Sequence, residues 1–137
     1  MTFILDTNVL SAVRKTDRFP AVEHWLRAQS DEALFVSVIS IGEIERGICL
    51  QEAKNPGFAA DLRSWLAHTE AVFADRILPF STQDARTWGA LSARLGHDGA
   101  DLMIAATALN LQATVVTRNT AHFGPTGVGL LNPFEPA

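Results

Sequence analysis

Four side chains with oxygen donors stand where short apolar runs end or amphipathic stretches begin: Asp6, Glu43, Asp101 and Asn119. Asp6 directly follows the apolar run in "TFIL" and precedes Thr7 and Asn8; Glu43 comes three residues after Ser40 in "SVISIGEIERGI". Asp101 opens "DLMIAATAL", and Asn119 lies two residues past "ATVVT" in "TRNTAHF". Each has a purely structural reading. Asp6 suits a turn or the cap of a following helix, and Glu43 suits the N3 position of a capping box begun by Ser40. Asp98 suits an N-cap, which makes Asp101 a favourable first-turn acid, and Asn119 suits a turn. Together they permit more. Three carboxylates and an amide oxygen, carried at the ends of different strands and the starts of different helices, can converge on one pocket. Crowded carboxylates repel and take up protons unless a cation relieves them. Hard divalent ions such as Mg²⁺ or Mn²⁺ prefer oxygen-only donors, so the first strand is expected to aim Asp6 at a metal.

Helical periodicity separates Glu43 from its neighbour Glu45. Residues 43, 46 and 47 share a face, so Glu43, Arg46 and Gly47 look one way and Glu45 faces solvent. On that face Arg46 can meet a phosphate or a carboxylate, and Gly47 would admit a close neighbour. The four histidines, at 24, 68, 97 and 122, show no zinc-ligand spacing. His24 and His68 belong to amphipathic stretches and are expected at the surface, whereas His97 and His122 lie near the candidate acids and can line a cleft. The single cysteine, Cys49, excludes an internal disulfide and reads as a small core residue on a helix face.

The elements that must hold these residues alternate. Short apolar strands are read in "TFIL", around Leu34 to Val38, in "RILPF" and "ATVVT", with a fifth in "VGLLNP". Amphipathic stretches over Ala21–Gln29, Ile41–Ala53, Phe58–Phe73, Thr82–Leu95 and Ala100–Leu111 predict helices between them. This alternation predicts a three-layer α/β/α sandwich around a mainly parallel sheet. In such sheets ligands bind beyond the carboxyl ends of the strands, where the candidate acids fall. Ser81 with Asp84 has capping-box spacing, "KNPG" at 54–57 separates two helices, and the tail from Gly124 to Pro136 reads as turns around an edge strand. Val22, Trp25 and Leu26 share a helical face that packs on the core or enters an interface.

At 137 residues and 47% hydrophobic the chain is expected to form one domain, spanning 1–137, with a real core. No secretory signal and no apolar run long enough to span a bilayer is visible, so a cytoplasmic location is expected. A net charge of −4 argues against binding nucleic acid by a broad basic surface, but not against an acidic, metal-holding site.

With these residues in hand the sequence resembles the PIN-domain ribonucleases, in particular the VapC toxins of bacterial type II toxin–antitoxin modules and their FitB-like branch. The resemblance is carried by "FILDTNVLS", "SVISIGEIERGI", "RILPF", "DLMIAATAL", "TVVTRNTAHF" and "LLNPF", in that order along nearly the whole chain. It implies an acidic pocket that binds Mg²⁺ or Mn²⁺ and hydrolyses RNA phosphodiester bonds, with the family's acids at Asp6, Glu43 and Asp101 and its fourth position at Asn119. Some members carry Asp there; others have Asn and an acid three residues later, where this chain has His122. Thr7 and Thr117 would support the acids by hydrogen bonding. The resemblance further implies a homodimer and a cognate VapB-like antitoxin that joins it in a larger hetero-oligomer. The alternatives are a catalytically weakened PIN-like module that binds RNA or protein, and a phosphatase of the haloacid dehalogenase type. Against the latter, Asn8 occupies the position of the second acid.

Overall fold

The computed structural model describes residues 1–135. Five short strands alternate with helices: β1 Phe3–Leu5, α1 Thr7–Val13, α2 Pro20–Arg27, β2 Leu34–Ser37, α3 Val38–Lys54, α4 Pro56–Val72, β3 Ile77–Leu78, α5 Thr82–Leu95, α6 Ala100–Leu111, β4 Thr114–Val116, α7 Thr120–Phe123 and β5 Gly129–Leu131. The sheet order is β3-β2-β1-β4-β5 and every pairing is parallel, with Phe3 opposite both Leu34 and Thr114. This is the α/β/α sandwich the alternation predicts. The chain winds outward from β1 to β3, then crosses to begin again at β4. The reversal falls between β1 and β4, which places the ligand-binding crevice of such a sheet beyond their carboxyl ends.

Strand alternation divides the core in two. Phe3, Leu5 and Val116 point to a layer built by α1 to α4, where Val9, Leu10, Val22, Ile44, Ile48 and Leu66 are buried. Ile4 and Val115 point to the other layer, with Leu91, Ile104, Ala105, Ala108 and Phe123 from α5 to α7. Both faces are covered, which is why the strands read as unbroken apolar runs. Val22 is fully buried, and Trp25 and Leu26 pack on the first layer, Trp25 standing edge-on to Phe3 at 5.0 Å, so that face of α2 serves the core. No helix is long and apolar enough to cross a membrane among the described residues.

Several local expectations hold. Thr82–Leu95 and Ala100–Leu111 form helices with the predicted bounds; Ser81 and Asp84 complete a reciprocal capping box, and Gly96 closes α5 at φ +79°, a conformation that favours glycine. Pro56 begins α4 just after α3 ends, and β5 forms the expected edge strand; Pro136 lies outside the described residues.

Others are corrected. Helix α3 begins three residues earlier than Ile41: Ser37, not Ser40, is its N-cap, accepting from Ile39 N–H at 3.0 Å. Ser40 is therefore inside the helix and buried, and Glu43 stands in the second turn. Gly99 rather than Asp98 precedes α6, and it makes no side-chain cap. Cys49 is exposed, its thiol 3.4 Å from Glu45 Oε2, because the buried stripe of α3 runs through Ser40, Ile44 and Ile48. Glu45 is not free in solvent; it is paired with Arg63 of α4. Gly47 admits no close neighbour, since a Cβ there would meet nothing within 4 Å.

Candidate active site

Asp6 terminates β1 at the centre of the sheet. Its backbone N–H still donates to Val116 O of β4 at 2.9 Å, so the residue is held by the ladder while its side chain starts the next helix. The carboxylate caps α1, with Oδ1 accepting from Thr7 N–H at 2.8 Å. Oδ2 accepts from the Thr117 hydroxyl at 2.8 Å and from Asn8 Nδ2 at 3.2 Å. Thr117 follows β4 as Asp6 follows β1. The two residues meet across the reversal in strand order.

Thr117 is fully buried and uses its hydroxyl completely: it donates to Asp6 and accepts from Asn8 Nδ2 at 3.3 Å and from Asn119 N–H at 2.9 Å. Thr7 does the same service for the second acid, donating to Glu43 Oε1 at 2.7 Å while the Ser40 hydroxyl lies 3.1 Å from the same threonine oxygen. The displaced helix start explains this contact. With α3 beginning at Val38, Ser40 and Glu43 fall on one side of the helix and meet the first turn of α1.

Asp101 stands in the first turn of α6, the helix that returns the chain to β4, so its N-terminus opens at the carboxyl edge of the sheet. Its Oδ2 lies 3.3 Å from His122 Nδ1 of α7. Glu43, His97, Asp101 and His122 line one cleft of about 500 Å³ together with Gly99, Ala100, Ala121 and Pro125. Both expected cleft histidines are thus in place, and His24 and His68 are exposed. A separate, largely apolar groove of about 380 Å³ between α1, α2 and α4 carries no such cluster of acids.

Asp6 is 3% exposed, and its carboxyl is pushed up from 3.8 to about 6. Burial is the largest cause, and the charges of Asp101 and Glu43 push the same way against the hydrogen bonds from Thr117 and Thr7. The three acids are therefore close enough to repel. Thr117→Val removes the strongest of the opposing hydrogen bonds, so Asp6 is expected to titrate about one pH unit higher, the equivalent of a charge-assisted bond of about 1.5 kcal/mol. A carboxyl-carbon NMR titration measures it.

Asn119 is placed differently. Its backbone donates to Thr117, but its side chain is exposed, makes no cap on α7, and has no hydrogen bond among the described residues. The amide that touches Asp6 is that of Asn8, which also accepts from Arg118 N–H at 3.2 Å through Oδ1. The sequence signal for it was its place in the "DTN" triplet. Its three contacts, to Asp6, Thr117 and Arg118, tie the ends of β1 and β4 together.

The donors at this edge are carboxylate oxygens, with the imidazoles of His97 and His122 at the rim. Among the described residues no group of three His, Cys, Asp or Glu side chains is arranged to hold a metal ion as it stands. Mg²⁺ does not require one, since it keeps several waters and is bound through one or two carboxylates. The mutual repulsion felt by Asp6 is the condition a cation relieves, and the residues fit a hydrated hard ion held by Asp6 and Asp101.

A parallel sheet with an acid ending its central strand and two further carboxylates brought to the same edge by flanking helices defines an acidic-pocket α/β/α domain. The chain belongs to the PIN domain family, which it matches over residues 3–124. It is 34% identical over 141 aligned residues to the VapC ribonuclease Y4jK of Sinorhizobium fredii, covering 98% of this chain and 99% of that protein. To Toxin FitB of Neisseria gonorrhoeae it is 32% identical over 140 aligned residues, covering 96% and 98%. A crystal structure of FitAcB from Neisseria gonorrhoeae is similar with a TM-score of 0.84 at 30% identity, covering 98% of this chain and 100% of that one.

Proposed function

We propose that this chain is the ribonuclease toxin of a toxin–antitoxin pair and cleaves RNA internally by metal-assisted hydrolysis at Asp6, Glu43 and Asp101. The observation that carries the reading is an acid buried at the end of the central strand beside a cleft lined by two further acids, Glu43 and Asp101, in a PIN-domain chain whose near relatives include a VapC ribonuclease. Asp6 and Asp101 would hold the ion, and Glu43 would join directly or through water. Bound Mg²⁺ or Mn²⁺ supplies charge neutralisation at the scissile phosphate and a more acidic attacking water.

The remaining work falls to the chain. Thr117 and Asn8 fix the rotamer of Asp6 and keep it ionisable against its burial, and Thr7 fixes Glu43. Glu43, partly exposed and lining the cleft, would orient a water toward the phosphate. Asn119, exposed and bonded through its backbone to Thr117, would orient water or a substrate oxygen. His122 shares Asp101, so part of that carboxylate's charge is met by an imidazole rather than opposed by a fourth acid.

The partner is a cognate VapB-like antitoxin, which the name Toxin FitB on a relative covering nearly the whole chain supports; the chain would pair as a homodimer within the larger complex. A basic antitoxin side chain entering the acid pocket would compete with the metal for the same carboxylates. The uncommitted side chain of Asn119 and the histidine at 122 favour one second reading, a catalytically weakened module that binds RNA without turnover.

Incubating a structured RNA with antitoxin-free protein separates the two. Cleavage is expected with Mg²⁺ or Mn²⁺, none with EDTA, and a loss of about 100-fold or more in Asp101→Asn. RNA binding without fragments under either ion would select the second reading.

A further inference from the structure

Arg118 immediately follows Thr117 at the carboxyl edge, beside Asn8. Its backbone is fixed by the bond to Asn8 Oδ1, and its neighbours Thr117 and Asn119 are fixed in turn by Leu131 O and the Thr117 hydroxyl. Its guanidinium lies 4.0 Å from the centre of the Phe134 ring and 5.2 Å from that of Phe19. These rings meet each other edge-to-face at 5.3 Å, and both are partly buried against the first core layer. The clamp is anchored to the sheet on one side and to the core on the other.

Two rings hold this cation, where Arg14 and Arg76 each stack on one, Phe58 and Phe73. Arg27, Arg63 and Arg76 have carboxylate partners, whereas no hydrogen bond or ion pair among the described residues uses the Arg118 guanidinium, not even with nearby Glu135. Stacking on aromatic faces orients the guanidinium and leaves its N–H edge open, and that edge matches the paired oxygens of a phosphate. Such a group is needed here. The chain carries a net charge of −4, and its pocket is acidic, so an incoming polyanion needs cations at the rim of the site to hold it there. Arg118 is exposed, and one side chain, Asn8, links its backbone to the Asp6 carboxylate.

We propose that Arg118, clamped by Phe19 and Phe134 beside Asn8, is a phosphate-binding residue that seats the RNA backbone across the mouth of the carboxylate pocket. The proposal rests on the ribonuclease reading above and adds the contact that positions the substrate. In this proposal Arg118 holds a phosphate that neighbours the reacting one.

The test is RNA binding and cleavage by the full chain as wild type, Arg118→Ala, Arg118→Lys and Phe134→Leu. Binding of a fluorescein-labelled single-stranded RNA is followed by anisotropy in EDTA across a salt series. Arg118→Ala is expected to weaken binding about tenfold at low salt and to flatten the dependence of log K on log salt by about 0.7, the value for one phosphate contact on a single strand. Arg118→Lys retains the slope, and Phe134→Leu loses part of the affinity with the slope kept. In Mn²⁺-supported cleavage Arg118→Ala raises KM about tenfold and leaves kcat within about twofold. An alanine variant with wild-type slope and KM, or one that loses affinity with the slope unchanged, overturns the proposal while wild-type cleavage leaves the ribonuclease reading intact. A wild type that neither binds nor cuts RNA overturns both.

Discussion

Asp6→Asn is expected to reduce RNA cleavage by about 1,000-fold while making the metal-free protein more stable. The loss corresponds to about 4 kcal/mol of transition-state charge stabilisation, a reasonable share for a residue that holds the ion. The gain in stability follows from the same carboxylate. Asp6 titrates at about 6 in the fold against 3.8 for the free side chain, so the folded state binds the proton more tightly. Between pH 3.8 and about 6 the native protein holds more protons than the unfolded chain, and stability therefore falls as pH rises through that window. Above it the ionised carboxylate costs about 3 kcal/mol, the full difference at 1.36 kcal/mol per pH unit. Asparagine carries no charge, still caps a helix, and can donate to Thr117 in place of Asn8. A gain of about 2–3 kcal/mol, or roughly 5–10 °C in melting temperature near neutral pH, is expected, shrinking toward zero below pH 4. Calorimetry in EDTA at several pH values measures it. An unchanged or lower melting temperature at pH 7.5 would mean that Asp6 is stabilised by its hydrogen bonds and is not a strained ligand.

Asp84→Ala should do the opposite at a second buried acid. Asp84 is 5% exposed, and its carboxylate accepts from Ser81 N–H at 3.1 Å, the Thr107 hydroxyl at 2.8 Å and Asn110 Nδ2 at 2.8 Å. It therefore joins the N-terminus of α5 to the last two turns of α6. Burial pushes this carboxyl up, but the donors from Asn110, Ser81 and Thr107 outweigh it and hold it below 3.8. Its contribution is accordingly complete above pH 3.8 and lost as pH falls through its lower folded value. Alanine leaves Ser81 as the N-cap but removes the reciprocal half of the capping box, and it strands the Thr107 and Asn110 donors at about 1–3 kcal/mol each. A total near 3–4 kcal/mol is a large part of the 5–15 kcal/mol typical of a domain, and a drop of about 10 °C in melting temperature is expected at pH 7. The gap to wild type should narrow in acid. Because α6 carries Asp101 at its other end, residual folded protein should cleave RNA slowly; full activity at undiminished stability would show that the network does not set the position of α6.

These two aspartates mark where the sequence was readable and where it was not. The fold was legible because strands covered on both faces must be continuously apolar, and because Thr82–Leu95 and Ala100–Leu111 carry their own start and stop signals. Asp6 was legible as a candidate because a carboxylate ending a buried strand needs a reason. Its helix-capping role and its candidate metal role turn out to be compatible, since Oδ1 takes the cap while Oδ2 meets Thr117 and Asn8. Asp84 read correctly as a capping residue, but its reach to Thr107 and Asn110 spans 23 and 26 residues and leaves no local trace.

The start of α3 was misplaced for a different reason. Ser37 and Ser40 are both competent caps three residues apart, and local pattern cannot choose between them; the choice is made by Thr7, whose hydroxyl meets Ser40 and Glu43 only if the helix begins early. Likewise "DTN" and "TRN" each offer an asparagine next to a strand end, and nothing within either triplet says that Asn8 turns toward Asp6 while the Asn119 side chain faces outward. Cys49 reads as core because it sits among apolar residues, but the stripe of α3 that meets the sheet passes through Ile44 and Ile48 and leaves residue 49 outside. In each case the deciding contact is long in sequence and short in space.

Asp6 and Asp101, with Glu43, are proposed to form one site completed by a divalent cation. The most direct measurement is titration of Mn²⁺ into the metal-free protein, with free ion followed by electron paramagnetic resonance, for wild type, Asp6→Asn and Asp101→Asn. Wild type should bind Mn²⁺ with an affinity that weakens as pH falls below about 6, where the ion must displace a proton from Asp6, and each variant should lose most of that binding. Wild type that leaves Mn²⁺ free at pH 7.5, or variants that bind it as well as wild type does, would contradict the claim.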